Sequence, residues 1–335
     1  MKFGWEIIPG VNASRGDRWV LYAQEDACRR AELHIYPGMG MKNGGFLWKG
    51  KLYTPAEPAW SRFLQGVPSF GAPILFPTPN RVRDNCFTFQ GNRYSMTKNG
   101  APHALHGVAY DSQWDWMEPR AEVEFAEMRG RLEILPGTEN WEAFPFRCRL
   151  EVAYQLHRDG FRFRYEVVNL GERSMPYGVG LHTGFVAEHG EPVYLRFPAK
   201  ARYETTPELL PTGNLIPDWK SNGDGPEGGT AVDSLKLDTP FIMEREDICL
   251  LYPRRNCRIR IRPTPDFTVA VLYTPSSMGH IPAAPEELFF VEPQTCCTDA
   301  INLHEAGMER TGLRILQPGQ SESGSIDYIF EEAWQ

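Results

Sequence analysis

Apolar and polar residues alternate in short runs along most of this chain, with a repeat of two rather than about 3.6. The clearest case is a hairpin. Phe146–Leu156 alternates, Arg158, Asp159 and Gly160 supply a turn where positive φ is available, and Phe161–Val168 alternates back. From Ala121 to Leu135, Val123, Phe125, Met128 and Leu132 interrupt charged residues in the same way, which predicts a strand. Further strands are predicted at Trp19–Ala23, Glu32–Tyr36, Gly45–Lys49, Cys86–Met96, Val193–Phe197, Ile248–Tyr252, Cys257–Arg262, Thr268–Thr274, Leu288–Val291, Gly312–Leu316 and Ser325–Phe330. The 31 glycines and 28 prolines break up any helical stripe. The pattern therefore predicts an all-β fold, a large antiparallel β-sandwich with few short helices. Strands of similar character flank the polar stretch Ser221–Gly229, so it reads as a surface loop within one domain spanning residues 1–335.

Composition narrows the partners. With 41% hydrophobic and 23% charged residues the chain can bury a large core, and its net charge is −8 without any long Lys/Arg block. No nucleic-acid partner is expected. The run Arg254, Arg255, Arg258, Arg260 and Arg262 alternates with Cys257, Ile259 and Ile261, which reads as the solvated face of a strand. No segment is apolar and long enough to span a bilayer, and the N-terminus does not read as a secretory signal, so no membrane partner is expected. An odd count of seven cysteines at irregular spacing suits a reducing, cytoplasmic setting. The glycosylation sequon at Asn12–Ser14 then has no consequence.

Several chemistries lose their signals. His103 with His106, and Cys296 with Cys297, lack the paired spacing of a zinc site, so no metal is expected. There is no phosphate-binding glycine loop and no serine-nucleophile elbow. What remains is a set of polar residues in apolar, turn-rich settings. Arg81 follows the Pro77–Pro79 turn. His106 precedes Gly107, where a backbone can approach a ligand closely, and His182 sits in the glycine-rich strand Tyr177–Phe185. Glu292 ends the aromatic strand that Pro293 is expected to stop. Singly, each has an ordinary explanation: a surface ion pair, satisfied strand histidines, a strand cap. Together they resemble the polar lining of an otherwise apolar pocket.

The ordered series Pro79–Tyr94, Leu105-His106-Gly107 followed by Trp114, Pro211-Thr212-Gly213, and Val291–Thr295 followed by Asp299–Asn302 resembles the aldose 1-epimerase (galactose mutarotase) family. The likeness runs from about Gly71 to the C-terminus. It implies a β-supersandwich with a sugar in a cleft on one sheet. It also implies His182 as general acid, Glu292 as general base, and Arg81 and His106 as ligands of the sugar hydroxyls. The family's sugar-binding aspartate precedes an aromatic residue, which fits Asp238 before Phe241 better than Asp233. No cofactor is implied. Two departures follow. The family usually has Pro and Tyr between this histidine and the Phe, where this chain has Thr183 and Gly184, which predicts a looser cleft wall. Some members act on hexose 6-phosphates, which keeps Arg83 and Arg93 as phosphate candidates. The other readings are a sugar-binding protein without turnover, and a glycoside hydrolase using Glu292 with Asp238.

Overall fold

The computed structural model describes residues 1–10, 16–55, 71–96, 102–217, 223–279 and 286–334. The sequon at Asn12–Ser14 lies outside them, as do Ser221 and Asn222 of the predicted loop. Three large antiparallel sheets dominate the described residues, with five, nine and eight strands. Only two short α-helices accompany them there, Pro275–Met278 and Ala300–Glu305. The fold is all-β, as the period-two pattern predicts.

The five-stranded sheet is an N-terminal meander from Lys2–Ile8 to Lys51–Thr54. The nine-stranded sheet centres on the hairpin Cys148–His157 and Gly160–Asn169, flanked by Ala126–Ile134 and Ser321–Glu332. Gly160 turns this hairpin at φ 144°, and a Cβ there would lie 1.9 Å from the Tyr328 carbonyl oxygen, so the position tolerates no side chain. The eight-stranded sheet includes, in spatial order, Pro211–Ile216, Ala199–Thr205, Asp238–Met243, Val269–Tyr273, Glu286–Gln294, Gly180–Leu181 and Ile74–Leu75; Thr183–Glu188 also pairs with Glu286–Gln294.

Inward residues of all three sheets meet in one core cluster, where alternation delivers every second side chain. Phe46 of the first sheet packs 5.0 Å from Phe161 and 4.5 Å from Phe330 of the second. The Thr183 and Tyr328 hydroxyls meet at 2.6 Å between the eight- and nine-stranded sheets.

Four local expectations are corrected. Cys86–Met96 is a hairpin of two strands, Cys86–Phe89 and Asn92–Ser95, turning at Gln90 and Gly91. Ala121–Leu135 is not one strand: Asp115–Ala121 and Ala126–Ile134 pair antiparallel, and Val123 stands 90% exposed at the tip between them. Alternation continues through such a tip, so it hides the reversal. Pro293 does not stop its strand, which runs on to Gln294, with Ala270 opposite Pro293 and Val269 opposite Gln294. Finally, Arg255 is not solvated. It lies in the short 3₁₀ turn Pro253–Arg255, outside the strand alternation, and forms a buried pair with Glu191 at 2.5 Å. Arg258, Arg260 and Arg262 do face outward, paired with Glu227, Glu331 and Asp247. The described part of the Ser221–Gly229 stretch closes on itself through Gly223 N–H to Gly228 O and Gly225 N–H to Gly229 O, as a loop does.

Candidate active site

One face of the eight-stranded sheet is built from two neighbouring segments that complement each other residue by residue. Along Glu286–Gln294, period two puts Phe290, Glu292 and Gln294 on one face, while Phe289 and Val291 enter the core. The segment across it contributes Gly178, Gly180, His182 and Gly184. Gly180 pairs with Gln294 and Gly184 with Phe290, which places His182 across from Glu292. The glycines leave room for side chains of the other strand and for Cys296 just beyond it. A Cβ would lie 2.3 Å from Cys296 Sγ at Gly178, 2.9 Å from Gln294 Cγ at Gly180, and 3.0 Å from Phe290 at Gly184. His182 is the one side chain of that row, and its Nε2 lies 3.1 Å from Glu292 Oε1.

The ladder opens at this point. Pro293 has no N–H to donate, and the neighbouring strand is interrupted between Leu181 and Thr183. The His182 N–H bonds the Pro73 carbonyl at 3.0 Å instead.

Asn80 joins the remaining groups. Its side-chain oxygen accepts from the Arg81 N–H at 2.9 Å and from Arg81 Nη1 at 3.1 Å, and its carbonyl accepts the His106 N–H at 2.8 Å. Asn80 and His106 both adopt positive φ, 59° and 64°. Gly107 does not make way for a ligand as expected; it admits backbone, since its Cβ would lie 2.2 Å from the Phe76 carbonyl oxygen. The His106 ring meets the His182 ring at 5.0 Å, edge to face. His182 in turn packs 4.5 Å from Phe290, which stacks on Tyr273 at 5.6 Å. Asp238 pairs with Tyr273 in the sheet and its charge acts on both Tyr273 and Glu292. Asp233 sits exposed in the turn Val232–Ser234 and is not part of this group.

His106, His182 and Glu292 are each buried. Burial pushes the Glu292 carboxyl well above the ordinary range; Asp238 adds to this, while the Gln294 hydrogen bond and Arg81 oppose it. Burial likewise lowers His182 to about 4 and drives His106 well below its usual value, with His182 and Arg81 contributing at His106. His106 Nδ1 and Gln294 Oε1 are buried with no hydrogen-bond partner among the described residues. His182 Nδ1 meets only its own backbone. Buried polar atoms left unpaired beside an acid–base pair are the usual mark of a site that a ligand completes. No group of three or more metal-ligating side chains occurs among the described residues.

A family model described as aldose 1-epimerase matches residues 43–328. The chain belongs to the aldose 1-epimerase family. The match begins earlier than the motif series, taking in the last strands of the N-terminal meander. Over 112 residues the chain is 29% identical to YihR of Escherichia coli K12, an uncharacterized protein. That stretch is 32% of this chain and spans about a third, 34%, of the curated relative. Among solved structures, a galactose mutarotase-like protein from Clostridium acetobutylicum superposes with TM-score 0.83 at 19% identity, covering 99% of both chains. Galactose 1-epimerase from Lactobacillus acidophilus NCFM superposes with TM-score 0.75 at 16% identity, covering 99% of this chain and 100% of that one. These likenesses establish the galactose mutarotase-like fold.

The two departures from the epimerase pattern now have physical accounts. Gly184 does not loosen the wall: the Phe290 ring and Pro55 occupy the space a side chain there would fill. Thr183 points the other way, to Tyr328. Arg83 bonds Asp299 at 3.3 Å and reaches the Pro211 carbonyl, and Arg93 contacts Cys86 Sγ on an exposed hairpin. Sequence reasoning missed Asn80, Tyr273, Phe290 and Gln294. Stepping by two along the strand from Glu292 finds the last two.

Proposed function

We propose that this protein interconverts the α and β anomers of a free aldose by acid–base ring opening, with Glu292 as base and His182 as acid. The observation behind this reading is the buried contact of 3.1 Å between His182 Nε2 and Glu292 Oε1, with Asp238 on the same sheet and with Arg81 and His106 beside it from the neighbouring two-stranded sheet and the turn that follows it. Glu292 takes the proton of the anomeric hydroxyl, the C1=O double bond forms as the C1–O5 bond breaks, and O5 takes a proton from His182. Rotation about C1–C2 and closure with the roles reversed gives the other anomer. Atoms and charges balance between sugar, carboxylate and imidazole alone.

The electrostatics favour this direction. Burial holds both groups neutral in the sugar-free site, so in this reading the charged pair that starts ring opening forms by proton transfer from the Glu292 carboxyl to His182 across their 3.1 Å contact, and ring opening returns the pair to the neutral state that burial favours. The site is thus matched to the charge pattern of the open-chain intermediate, which is where catalytic binding energy is effective. Arg81, His106 and Asp238 hold the sugar hydroxyls in this reading. The engagement of Arg83 and Arg93 elsewhere supports an unphosphorylated sugar over a hexose 6-phosphate. The proposal treats the chain as one domain, since one core cluster draws on all three sheets, and places it in the cytoplasm, since all seven cysteines are free.

Polarimetry on freshly dissolved α-glucose and α-galactose tests the reading. Acceleration toward the anomeric equilibrium is expected with the wild type, and a loss of about 1,000-fold or more with Glu292→Gln while sugar binding persists. No acceleration with any free aldose would overturn it.

A further inference from the structure

We propose that Gln294 is the positioning residue of Glu292: its side-chain amide donates from Nε2 to one carboxyl oxygen, Oε2, and holds the group in place while the proton moves at the other, Oε1. This rests on the acid–base reading above and extends it to a residue two positions from the base.

The geometry is specific. Gln294 is fully buried, on the same strand face as Glu292, and its Nε2 donates to Glu292 Oε2 at 3.1 Å. His182 is at the other oxygen, Oε1. A sugar entering between acid and base must displace the His182 contact. Gln294 approaches from the opposite side of the carboxyl and stays. Gly180 across the ladder leaves room for the Gln294 side chain, since a Cβ added there would lie 2.9 Å from its Cγ.

A general base must exist as anion and as acid within one turnover. The proton moves at Oε1, the oxygen facing His182, so Oε2 accepts in both states and the Gln294 NH₂ can hold it throughout. The ionisable groups facing Glu292 are His182 on the neighbouring segment, Asp238 and Tyr273 on the strands to its other side, Arg81 from the Arg81–Val82 strand, and Tyr328 from the nine-stranded sheet beneath. Gln294 is the group hydrogen-bonded to Oε2.

The test uses the full chain with Gln294→Met, which keeps the volume and loses the hydrogen bond, and Gln294→Glu. Glu292 is titrated by infrared difference spectroscopy without sugar, its carboxyl band identified by subtraction of Glu292→Gln. Because the bond to the charged carboxylate is stronger than the bond to the neutral acid, the midpoint is expected to rise by about one pH unit in Gln294→Met and further in Gln294→Glu, where a second carboxyl adds repulsion. The acidic limb of kcat/KM should move by the same amount, so that activity lost at low pH returns at high pH with KM little changed. An unmoved midpoint, or a loss equal at every pH, would reduce Gln294 to packing and overturn the proposal. Should Gln294→Met fail to fold, Gln294→Glu, of nearly native volume, gives the same midpoint test. A wild type inactive on every aldose would sink the epimerase reading, yet the infrared midpoint would still decide the role of Gln294.

Discussion

Two buried glutamates, each held by a glutamine, behave in opposite ways. Glu127 accepts from Gln155 Nε2 at 2.5 Å, Arg129 Nε at 2.6 Å and Arg120 Nε at 3.0 Å. Burial works against its charge, but the hydrogen bonds of Arg129 and Gln155 outweigh it and hold the carboxyl below its ordinary value. Glu292 accepts from Gln294 and meets the His182 imidazole, with Arg81 acting at a distance and Asp238 opposing, and it is held high. The lesson is that burial alone does not make a carboxylate reactive. Saturation by guanidinium groups locks the anion in place, as at Glu127. A neutral amide and a titratable neighbour leave the proton free to move, as at Glu292.

The largest expected effect separates the two directly. Glu292→Gln should lower kcat by about 1,000-fold or more, whereas Glu127→Gln should leave kcat within a few-fold and cost roughly 1–3 kcal/mol of stability. Polarimetry with urea denaturation reads both, and a catalytic collapse in Glu127→Gln would break the contrast. A smaller effect is seen in acid. The His182 pKa lies below that of an unfolded histidine, so between pH 6.5 and about 4 the unfolded chain binds a proton that the folded site refuses. Stability conferred by the neutral imidazole is therefore complete above pH 6.5 and lost as the pH falls toward 4, by no more than about 3 kcal/mol. The Glu127 contribution should be lost only below about pH 4.5, so denaturation curves of His182→Asn and Glu127→Gln should differ from wild type in separate windows. A His182→Asn curve parallel to wild type from pH 7 to 4 would show that the imidazole is not held neutral. Smallest is Arg81→Met, expected to raise KM about tenfold, ~1.4 kcal/mol, with kcat changed less. An unchanged KM would remove Arg81 from sugar binding.

Local patterns carried much of the fold. The hairpin between Cys148 and Asn169 was readable because both strands alternate cleanly about an obligatory glycine, and its register follows. The reversal inside Ala121–Leu135 was not, because a valine at the tip continues the alternation while standing in solvent. Arg81, His106, His182 and Glu292 could be singled out by their settings, but not brought together, since the meeting of His182 and Glu292 depends on the register between distant segments. Pro293 misled for a related reason: a proline ends a strand when its missing N–H is needed, and here the neighbouring strand is already broken beside it. Arg255 misled because a one-turn 3₁₀ segment shifts the phase that strand reasoning assumes.

The glycine row opposite Phe290 also constrains how such a cleft can change over time. An aromatic ring can reach this wall from position 184 or from position 290, but a Cβ at 184 already crowds the Phe290 ring and Pro55 at 3.0 Å. Adding the first ring before removing the second overpacks the wall; removing Phe290 first leaves a void, at about 3–5 kcal/mol by the usual cost of a buried phenylalanine. Divergence between the two arrangements therefore has a preferred order set by stability reserve. A lineage with several kcal/mol to spare can pass through the void, and one without it must change both strands together.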